Sequence, residues 1–408
     1  MRGLPARRLV PVTAALLGAV ACHPQPPLPV PGVEPELRIG IADGLKRITL
    51  GGDAQVLVTD DANGSTVAGI AAGAIWTVIP DSGALVLVGP DGTRTGHHLG
   101  ISAISTTAGH FVAADGKRYR GRVNIIRTGG GLQLINRVGI ESYVAAVIGP
   151  ELGPRRADEI AALDAQAIVS RTFALKNRGR WEAQGFDVTD DTRDQVYGGV
   201  AAETQQAWGA VRRTVGRVVM YHGGLIDAFF HSTCGFRTAD ATEAFRNGAS
   251  RPYLRSVSDA SGGGHYYCDI SPRFRWREEW DGATLRTILA RSIPDLQKIV
   301  NIEVSKTSPS GRVAELRIVF PHGQALIPEP DIRGVLRPAP DRLLQSAAFQ
   351  LFVTTDSGAV TRLVAAGAGS GHGVGFCQWG AIGRARAGQG YQQIITTYYP
   401  GTDIEKLY

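Results

Sequence analysis

The 408-residue sequence has little cysteine and methionine, with four residues of the first and two of the second. No Cys-x-x-Cys pair occurs, so the most specific zinc-binding and redox motifs are missing. The sequence also lacks a polybasic run and a repeated aromatic–basic pattern, which argues against nucleic acid as a partner. No internal repeat is visible, and no stretch after the first 22 residues is long and apolar enough for a membrane helix.

The first 22 residues have the order of a secretion signal. Three arginines occur among the first eight residues, Leu9–Ala21 carry no charge, and small residues precede Cys22. About 13 mostly apolar residues are too few to span a bilayer, so residues 1–21 are predicted to be a signal peptide. The position of Cys22 resembles the lipobox of bacterial lipoproteins, which predicts a lipid-anchored protein facing the periplasm or cell wall. The alternative is an ordinary Ala-x-Ala cleavage site followed by an incidental cysteine.

Residues 22–36 are predicted to be a tether, because the six prolines between His23 and Pro35 favour an extended chain. Loss of residues 1–21 removes three arginines and no acid. The formal charge then falls from +6 to +3, with 40 Lys and Arg against 37 Asp and Glu. Half of the net positive charge therefore comes from the predicted signal peptide.

The remaining pattern predicts an α+β protein, β-rich with a few helices, in two or three lobes. Short β-like runs separated by turn residues fill residues 37–145, and strands return within 299–356. A hairpin is predicted from Arg217–Tyr221 and Leu225–His231. Helices are predicted at 155–178, 202–213, near 281–292 and near 391–398.

Arg171 lies within the apolar stripe of the predicted helix 155–178. A buried guanidinium is costly unless it is paired. Arg171 therefore either reaches a carboxylate or a sugar in a cleft, or extends its charged end past the edge of the core.

Glu151 lies between Pro150 and the Gly153-Pro154 pair, just before that helix. A carboxylate on a constrained turn could be partly buried, and burial raises the pKa of a carboxyl group toward that of a general acid. The alternative is a solvated glutamate favoured by the dipole of the following helix. Spacing alone favours the solvated glutamate.

Three further segments carry residue types found at active or metal sites. The four aspartates within 187–194 could suggest Ca²⁺, but the EF-hand spacing is absent and a solvated loop is favoured. His231, Cys234 and Cys268 could bind zinc, or the two cysteines could form a disulfide, which an exported protein favours. In the glycine-rich segment 366–381, Cys377 could belong to a nucleophile system or be a small buried residue.

Six segments, taken in order, closely resemble the SpoIID/LytB family of bacterial cell-wall proteins. The family patterns are ESYV..V...E, AQA..SRTFAL, Q.YGG, FHSTCG, HGVG..QWGA and YYPGT. The matching segments are Glu141–Glu151, Ala165–Leu175, Gln195–Gly199, Phe230–Gly235, His372–Ala381 and Tyr398–Thr402. The resemblance predicts a N-terminal β-rich region at 37–114 and a SpoIID/LytB-like domain at 115–408, with a β-rich insert at about 297–360.

The resemblance implies a lytic transglycosylase that cuts peptidoglycan glycan strands between N-acetylmuramic acid and N-acetylglucosamine and leaves a 1,6-anhydro end. Glu151 falls on the family's catalytic glutamate and would be both general acid and general base. Other residues within the motifs are expected to contact the glycan: Arg171, Gln195, Tyr197, His231, Ser232, His372 and Gln378. Because a cation near Glu151 would oppose its acid role, Arg171 is expected to bind substrate or a different acid.

The family also includes an enhancer of a cell-wall amidase, so a non-catalytic, peptidoglycan-binding protein with an amidase partner is the alternative function. Sporulation protein D can carry zinc on a loop that corresponds to 188–194. That loop has no Cys or His here, so no cofactor is expected from the family.

Overall fold

The computed structural model describes residues 27–246 and 248–408, which form two compact units. We call residues 27–227 with 404–408 the N-terminal unit, and residues 228–403 the C-terminal unit. The predicted signal peptide and the lipidation at Cys22 lie outside the described residues. Of the predicted tether, residues 27–34 are mostly exposed. Within 27–246 and 248–408, no helix is long and apolar enough to cross a membrane.

The N-terminal strands up to the first helix are β1 (Glu36–Leu45), β2 (Ile48–Gly52), β3 (Val56–Asp60), β4 (Thr66–Ile70), β5 (Ile75–Asp81), β6 (Ala84–Val88), β7 (Gly100–Ser105), β8 (Val112–Ala114), β9 (Lys117–Tyr119), β10 (Arg122–Thr128) and β11 (Gly131–Gly139). The following elements are α1 (Ile140–Leu152), α2 (Ile160–Lys176), β12 (Val188–Thr189), α3 (Gln205–Thr214), β13 (Arg217–Tyr221) and β14 (Gly224–Leu225). Short 3-10 helices occupy Ala157–Glu159, Glu182–Gln184 and Gly199–Ala202.

The later elements are β15 (Phe230–His231), α4 (Ala241–Ala244), β16 (Ala260–Gly262), β17 (His265–Tyr266), a 3-10 helix (Tyr267–Ile270), β18 (Arg275–Asp281), α5 (Gly282–Leu289), β19 (Asn301–Thr307), β20 (Val313–Phe320) and β21 (Gly323–Pro328). They continue with α6 (Glu329–Val335), β22 (Phe349–Asp356), β23 (Ala359–Ala368), β24 (Phe376–Cys377), α7 (Gln378–Arg386), α8 (Tyr391–Tyr398) and β25 (Asp403–Lys406). This β-rich composition with few helices confirms the predicted α+β class.

Two sheets dominate the N-terminal unit. A seven-stranded sheet has the order β12-β1-β11-β10-β7-β3-β4, and a five-stranded sheet has the order β6-β5-β2-β8-β9. Antiparallel pairing of β7 with β10 places Ser102 opposite Asn124. Strands from both sides of position 115 therefore belong to one sheet.

Helix α1 follows β11 directly and was not predicted. It is buried on most of its surface, and Pro150 lies in its last turn. A helix that is apolar all round lacks the one-sided stripe by which a surface helix is recognised, and proline is normally a sign of interruption. The predicted helix 155–178 is α2, which starts at Ile160 after a short 3-10 turn.

The C-terminal unit contains two three-stranded sheets, β18-β23-β22 and β19-β20-β21. They share a hydrophobic core with α5 and α6, in which Trp280, Leu285, Leu316 and Leu363 are almost completely buried. The predicted hairpin after residue 217 forms only as far as Leu225, which pairs with Met220. Its expected continuation was wrong, because Phe230–His231 instead pairs in parallel with Phe376–Cys377.

Candidate active site and buried thiol cluster

Glu151 lies in the last turn of α1 and is half-buried. Gly153, with φ of 66°, ends the helix and donates its N–H to the carbonyl of Gly149 at 2.8 Å. The predicted location on a turn before the long helix was therefore wrong. Pro150 also lies in this last turn, so the break that a proline causes in a helix falls close to the point at which α1 ends.

The N-terminal end of α1 is held by a buried ion pair. Arg171 of α2 donates from Nε and Nη2 to the two carboxylate oxygens of Glu141, at 2.9 and 2.6 Å. Glu141 also accepts the N–H of Gly216 at 3.0 Å and the hydroxyl of Tyr408 at 2.7 Å. Arg171 thus pairs with an acid other than Glu151, as one predicted alternative required. Arg171 is 0 % exposed, so this ion pair gives it a structural role, and its expected contact with glycan remains a prediction.

The middle of α1 is held by an aromatic and amide network. The Tyr143 hydroxyl donates to Oε1 of Gln195 at 3.1 Å, and its ring stacks on Tyr197 with centroids 5.3 Å apart. The Tyr197 hydroxyl donates to Oδ1 of Asn136 at 2.8 Å. Burial above all, with nearby acids that include Glu151, raises the pKa of Tyr143, so the phenol stays a neutral donor. Gln195 and Tyr197 are 1 % and 5 % exposed and support α1 from the interior, and their expected contact with glycan remains a prediction.

Gly149 allows the last turn of α1 to approach the 3-10 helix Gly199–Ala202. A β-carbon at Gly149 would lie 2.3 Å from the carbonyl oxygen of Ala202. Ordinary contacts of this kind are longer than 3 Å. The glycine therefore permits the close approach of the two backbones in the last turn of α1, the turn that carries Glu151.

Two aspartates of the loop 187–194 form hydrogen bonds with arginines. Asp187 accepts from Nη2 of Arg38 at 2.8 Å, and Asp194 accepts from Nη1 of Arg180 at 2.8 Å. The side chains of both aspartates are nearly or fully buried. The preference against a calcium loop remains a prediction, but the loop is less solvated than expected.

Two histidines meet in the C-terminal unit, because β15 and β24 pair. The rings of His231 and His372 have centroids 5.6 Å apart. His231 Nδ1 lies 3.1 Å from the carbonyl of Val374, whose N–H donates to Nδ1 of His372 at 3.0 Å. Burial lowers the pKa of His231 to about 3 and also lowers that of His372, so both rings are neutral at physiological pH.

The other predicted contacts in this unit differ in exposure. Ser232 is half-buried, and Gln378 is buried at the first position of α7. His231 Nε2 has no hydrogen-bond partner among the residues that the structure describes. His231, Ser232 and His372 thus lie near one another within the C-terminal unit, a convergence that the sequence did not reveal.

A cluster of thiols lies beneath β24. Cys234 and Cys268 are free and buried, with sulfur atoms 3.5 Å apart, whereas a disulfide requires about 2.05 Å. The structure thus confirms their proximity but not the predicted disulfide bond. Their ligand atoms, with those of Cys377 and Asp259, all lie within 4.8 Å of one another. Sequence reasoning did not place Cys377 or Asp259 beside these two cysteines.

Two grooves of about 320 and 390 Å³ lie on the strands of the N-terminal unit. The larger is lined by polar groups, among them Arg38, Arg122 and Asn124. Glu151 lines neither groove.

Comparison with known families gives two matches that fall in different parts of the chain. A family model described as stage II sporulation protein matches residues 128–221, which run from β10 through α1 and α2 to β13. A second family model, described as a domain of unknown function, matches residues 264–375.

Individual relatives extend these matches. An uncharacterised protein of Brachyspira hyodysenteriae is 32% identical over 294 residues, which cover 71% of this chain and 73% of that protein. Stage II sporulation protein D of Bacillus subtilis is 28% identical over 291 residues, covering 67% and 76%. An amidase enhancer of Bacillus subtilis is 26% identical over 353 residues, covering 76% of this chain but only 47% of the enhancer. With six ordered motifs and relatives of both kinds, the chain belongs to the SpoIID/LytB family.

Proposed function

We propose that this protein is a peptidoglycan lytic transglycosylase in which Glu151 is the catalytic residue. The observation that carries the proposal is a half-buried carboxyl group on the last turn of a helix that is otherwise locked in place. The ion pair of Glu141 with Arg171 and the bond from Tyr143 to Gln195 hold that helix. Rigid support of this kind positions a catalytic group precisely.

One carboxyl group is sufficient for the reaction. Protonated Glu151 would give its proton to the glycosidic oxygen as the bond from that oxygen to C1 of N-acetylmuramic acid breaks. The 6-hydroxyl oxygen of the same sugar then bonds to C1, and its proton passes to the Glu151 carboxylate. The product is a 1,6-anhydro ring, and Glu151 is again protonated. No water and no second carboxylate take part, in contrast to the usual pair of carboxylates in glycosidases.

The location of Glu151 at a helix C-terminus supports the acid role. The partial negative charge at this end favours a neutral carboxyl over a carboxylate. Arg171, the buried cation of the motifs, is paired with Glu141.

The remaining parts of the proposal concern substrate and location. Ser232, His372, His231 and Gln378 would contact glycan on the C-terminal unit, with the two neutral histidines as hydrogen-bonding groups. The family relationship supports a role at the cell wall and hence outside the cytoplasm. Export through the leader and lipid attachment at Cys22 would hold the protein near its substrate.

The test is a digestion of sacculi, and of glycan strands stripped of peptides, by purified residues 23–408. Mass spectrometry would detect anhydro-muramic ends in the products. We expect such ends with the wild-type chain on at least one substrate and their loss in Glu151→Gln. The matched control is Glu182→Gln, because Glu182 is an exposed acid of the same unit.

Two outcomes contradict the catalytic proposal. One is the absence of anhydro ends on both substrates, and the other is their persistence in Glu151→Gln. A folded Glu182→Gln variant that also loses activity would show that the effect is not specific to Glu151.

The similarity to an amidase enhancer favours a second function, a peptidoglycan-binding protein that stimulates a wall amidase. A parallel digestion with a purified N-acetylmuramoyl-L-alanine amidase separates the two. Faster peptide release in the presence of the chain, without anhydro ends and unchanged in Glu151→Gln, would establish the enhancer function instead.

A further inference from the structure

Four buried side chains of the C-terminal unit bring their metal-binding atoms together. Cys234, Cys268 and Cys377 each present a sulfur, and Asp259 presents a carboxylate oxygen. All four atoms lie within 4.8 Å of one another. We propose that these four residues form a closed, tetrahedral site for one Zn²⁺ ion. The site is separate from loop 188–194 and from Glu151.

The distances suit a metal better than a disulfide. A Zn–S bond is about 2.3 Å, so two sulfurs of a zinc tetrahedron lie roughly 3.8 Å apart. The sulfurs of Cys234 and Cys268 are 3.5 Å apart, close to that edge length. A disulfide would join two of the thiols and leave the third thiol and a carboxylate buried against it. One zinc ion engages all four groups.

The fold brings the four groups together from separate elements. Parallel pairing of β15 with β24 places Cys377 near the chain that leads to Cys234. Cys268 lies in the 3-10 helix Tyr267–Ile270, against which α7 packs closely. A β-carbon at Gly383 of α7 would lie only 1.9 Å from the Tyr267 carbonyl oxygen.

A second glycine of α7 makes room for the carboxylate. A β-carbon at Gly380 would lie 2.0 Å from the Tyr398 hydroxyl and 2.8 Å from Asp259 Oδ2. Two glycines of one helix therefore permit the approach of the groups that form the cluster.

The sulfur of Cys377 faces two backbone N–H donors, an arrangement that suits the thiolate form that binds metal. Its sulfur accepts the N–H of Cys234 at 3.2 Å and the N–H of Gly380 at 3.3 Å. N–H donors to a bound sulfur are typical supports of a metal–thiolate centre.

The carboxylate has a similar second layer of support. Asp259 Oδ1 accepts the Tyr398 hydroxyl at 2.6 Å and Nη2 of Arg384 at 3.2 Å, while Oδ2 accepts the N–H of Cys268 at 3.0 Å. Three thiolates, one carboxylate and Zn²⁺ carry a formal charge of about −2, which the buried Arg384 partly neutralises. Four protein ligands leave no open position, so the ion would stabilise the fold and take no part in catalysis.

The test uses residues 23–408, which contain Cys234, Cys268 and Cys377 as their only cysteines, purified without chelator or reductant. Elemental analysis should give about one zinc per chain. Thiol titration of the native protein should find the cysteines protected, and chelator with denaturant should release three thiols. Exchange with Co²⁺ should produce thiolate-to-cobalt charge transfer and the strong visible bands of tetrahedral cobalt.

Variants identify the ligands. Cys377→Ser and Asp259→Asn should each bind Co²⁺ more weakly than the wild-type chain. Loss of a residue that only supports a metal ligand lowers metal affinity roughly 10- to 100-fold, and loss of a ligand should lower it at least as much. Glu329→Gln is the control, because Glu329 is a buried acid of the same unit outside the cluster.

Two results overturn the proposal: a Cys234–Cys268 disulfide in non-reduced peptides without bound zinc, or no tetrahedral cobalt spectrum from the reduced wild-type chain. The second measurement needs no variant, so misfolding of Cys377→Ser cannot obscure the answer. Neither readout depends on glycan cleavage, so the proposal stands or falls independently of Glu151.

Discussion

Substitution of Glu141 by glutamine should strongly destabilise the N-terminal unit. The change keeps the shape of the side chain but removes the charge that neutralises Arg171, which is 0 % exposed. Glu141 accepts two bonds from Arg171, one from Gly216 and one from Tyr408. Breaking one partner of a buried ion pair typically costs about 3–5 kcal/mol. Because a whole domain is stable by only about 5–15 kcal/mol, this loss would bring the unit close to unfolding.

The double variant Glu141→Gln, Arg171→Met separates the charge from the packing. It removes the unpaired cation, so it should be more stable than Glu141→Gln alone, as is common when a buried pair is replaced together. Urea unfolding followed by hydrogen exchange and mass spectrometry would report each unit through its own peptides. Only peptides of the N-terminal unit should lose protection.

A loss below about 1 kcal/mol in Glu141→Gln would refute the reasoning, because that is the range of an exposed ion pair. A double variant less stable than Glu141→Gln would also refute it. In that case Arg171 would contribute through contacts other than its charge pair. Retained glycan binding in a folded double variant would support the structural role assigned to Arg171.

Two further substitutions test the packing and the electrostatics. Gly149→Ala should lower the melting temperature, because the added methyl group would clash with the Ala202 carbonyl. The clash should cost about 1–3 kcal/mol, which exceeds the roughly 1 kcal/mol gained in helix propensity. An unchanged melting temperature in a thermal scan would contradict this expectation. Burial raises the pKa of Glu329 to about 8, so its stabilising contribution is complete below about pH 4.5 and is lost as pH rises toward 8. Glu329→Gln should therefore flatten the dependence of unfolding free energy on pH in the C-terminal unit by up to about 1.4 kcal/mol per pH unit. Equal slopes for the wild-type chain and Glu329→Gln would show that Glu329 does not cause this pH dependence. The charged groups around Glu329 are Arg312, Arg333, Glu243 and Asp331.

Local pattern predicted the bounds of helix α8, which has one buried and one exposed face. Helix α2 also lies within the predicted helix 155–178, although its residues from Ala162 to Leu175 are all buried. Helices α1 and α7 were missed, because α1 is apolar on nearly all sides and α7 contains Gly380 and Gly383. In both helices, tertiary contacts outweigh the intrinsic preferences of the residues.

The sequence by itself determined the α+β class and the family, and it identified Glu141–Glu151 as a family motif, because ordered motifs and periodic patterns are local properties. Only the tertiary structure decided which groups meet. Arg171 finds Glu141 across 30 residues, and the N–H of Cys234 finds the sulfur of Cys377 across 143. Such distant pairs depend on how strands and helices pack, and the sequence around one residue of a pair does not indicate which residue it will meet. The same packing turned a predicted disulfide beside an unpaired thiol into a single buried cluster of three cysteines and an aspartate.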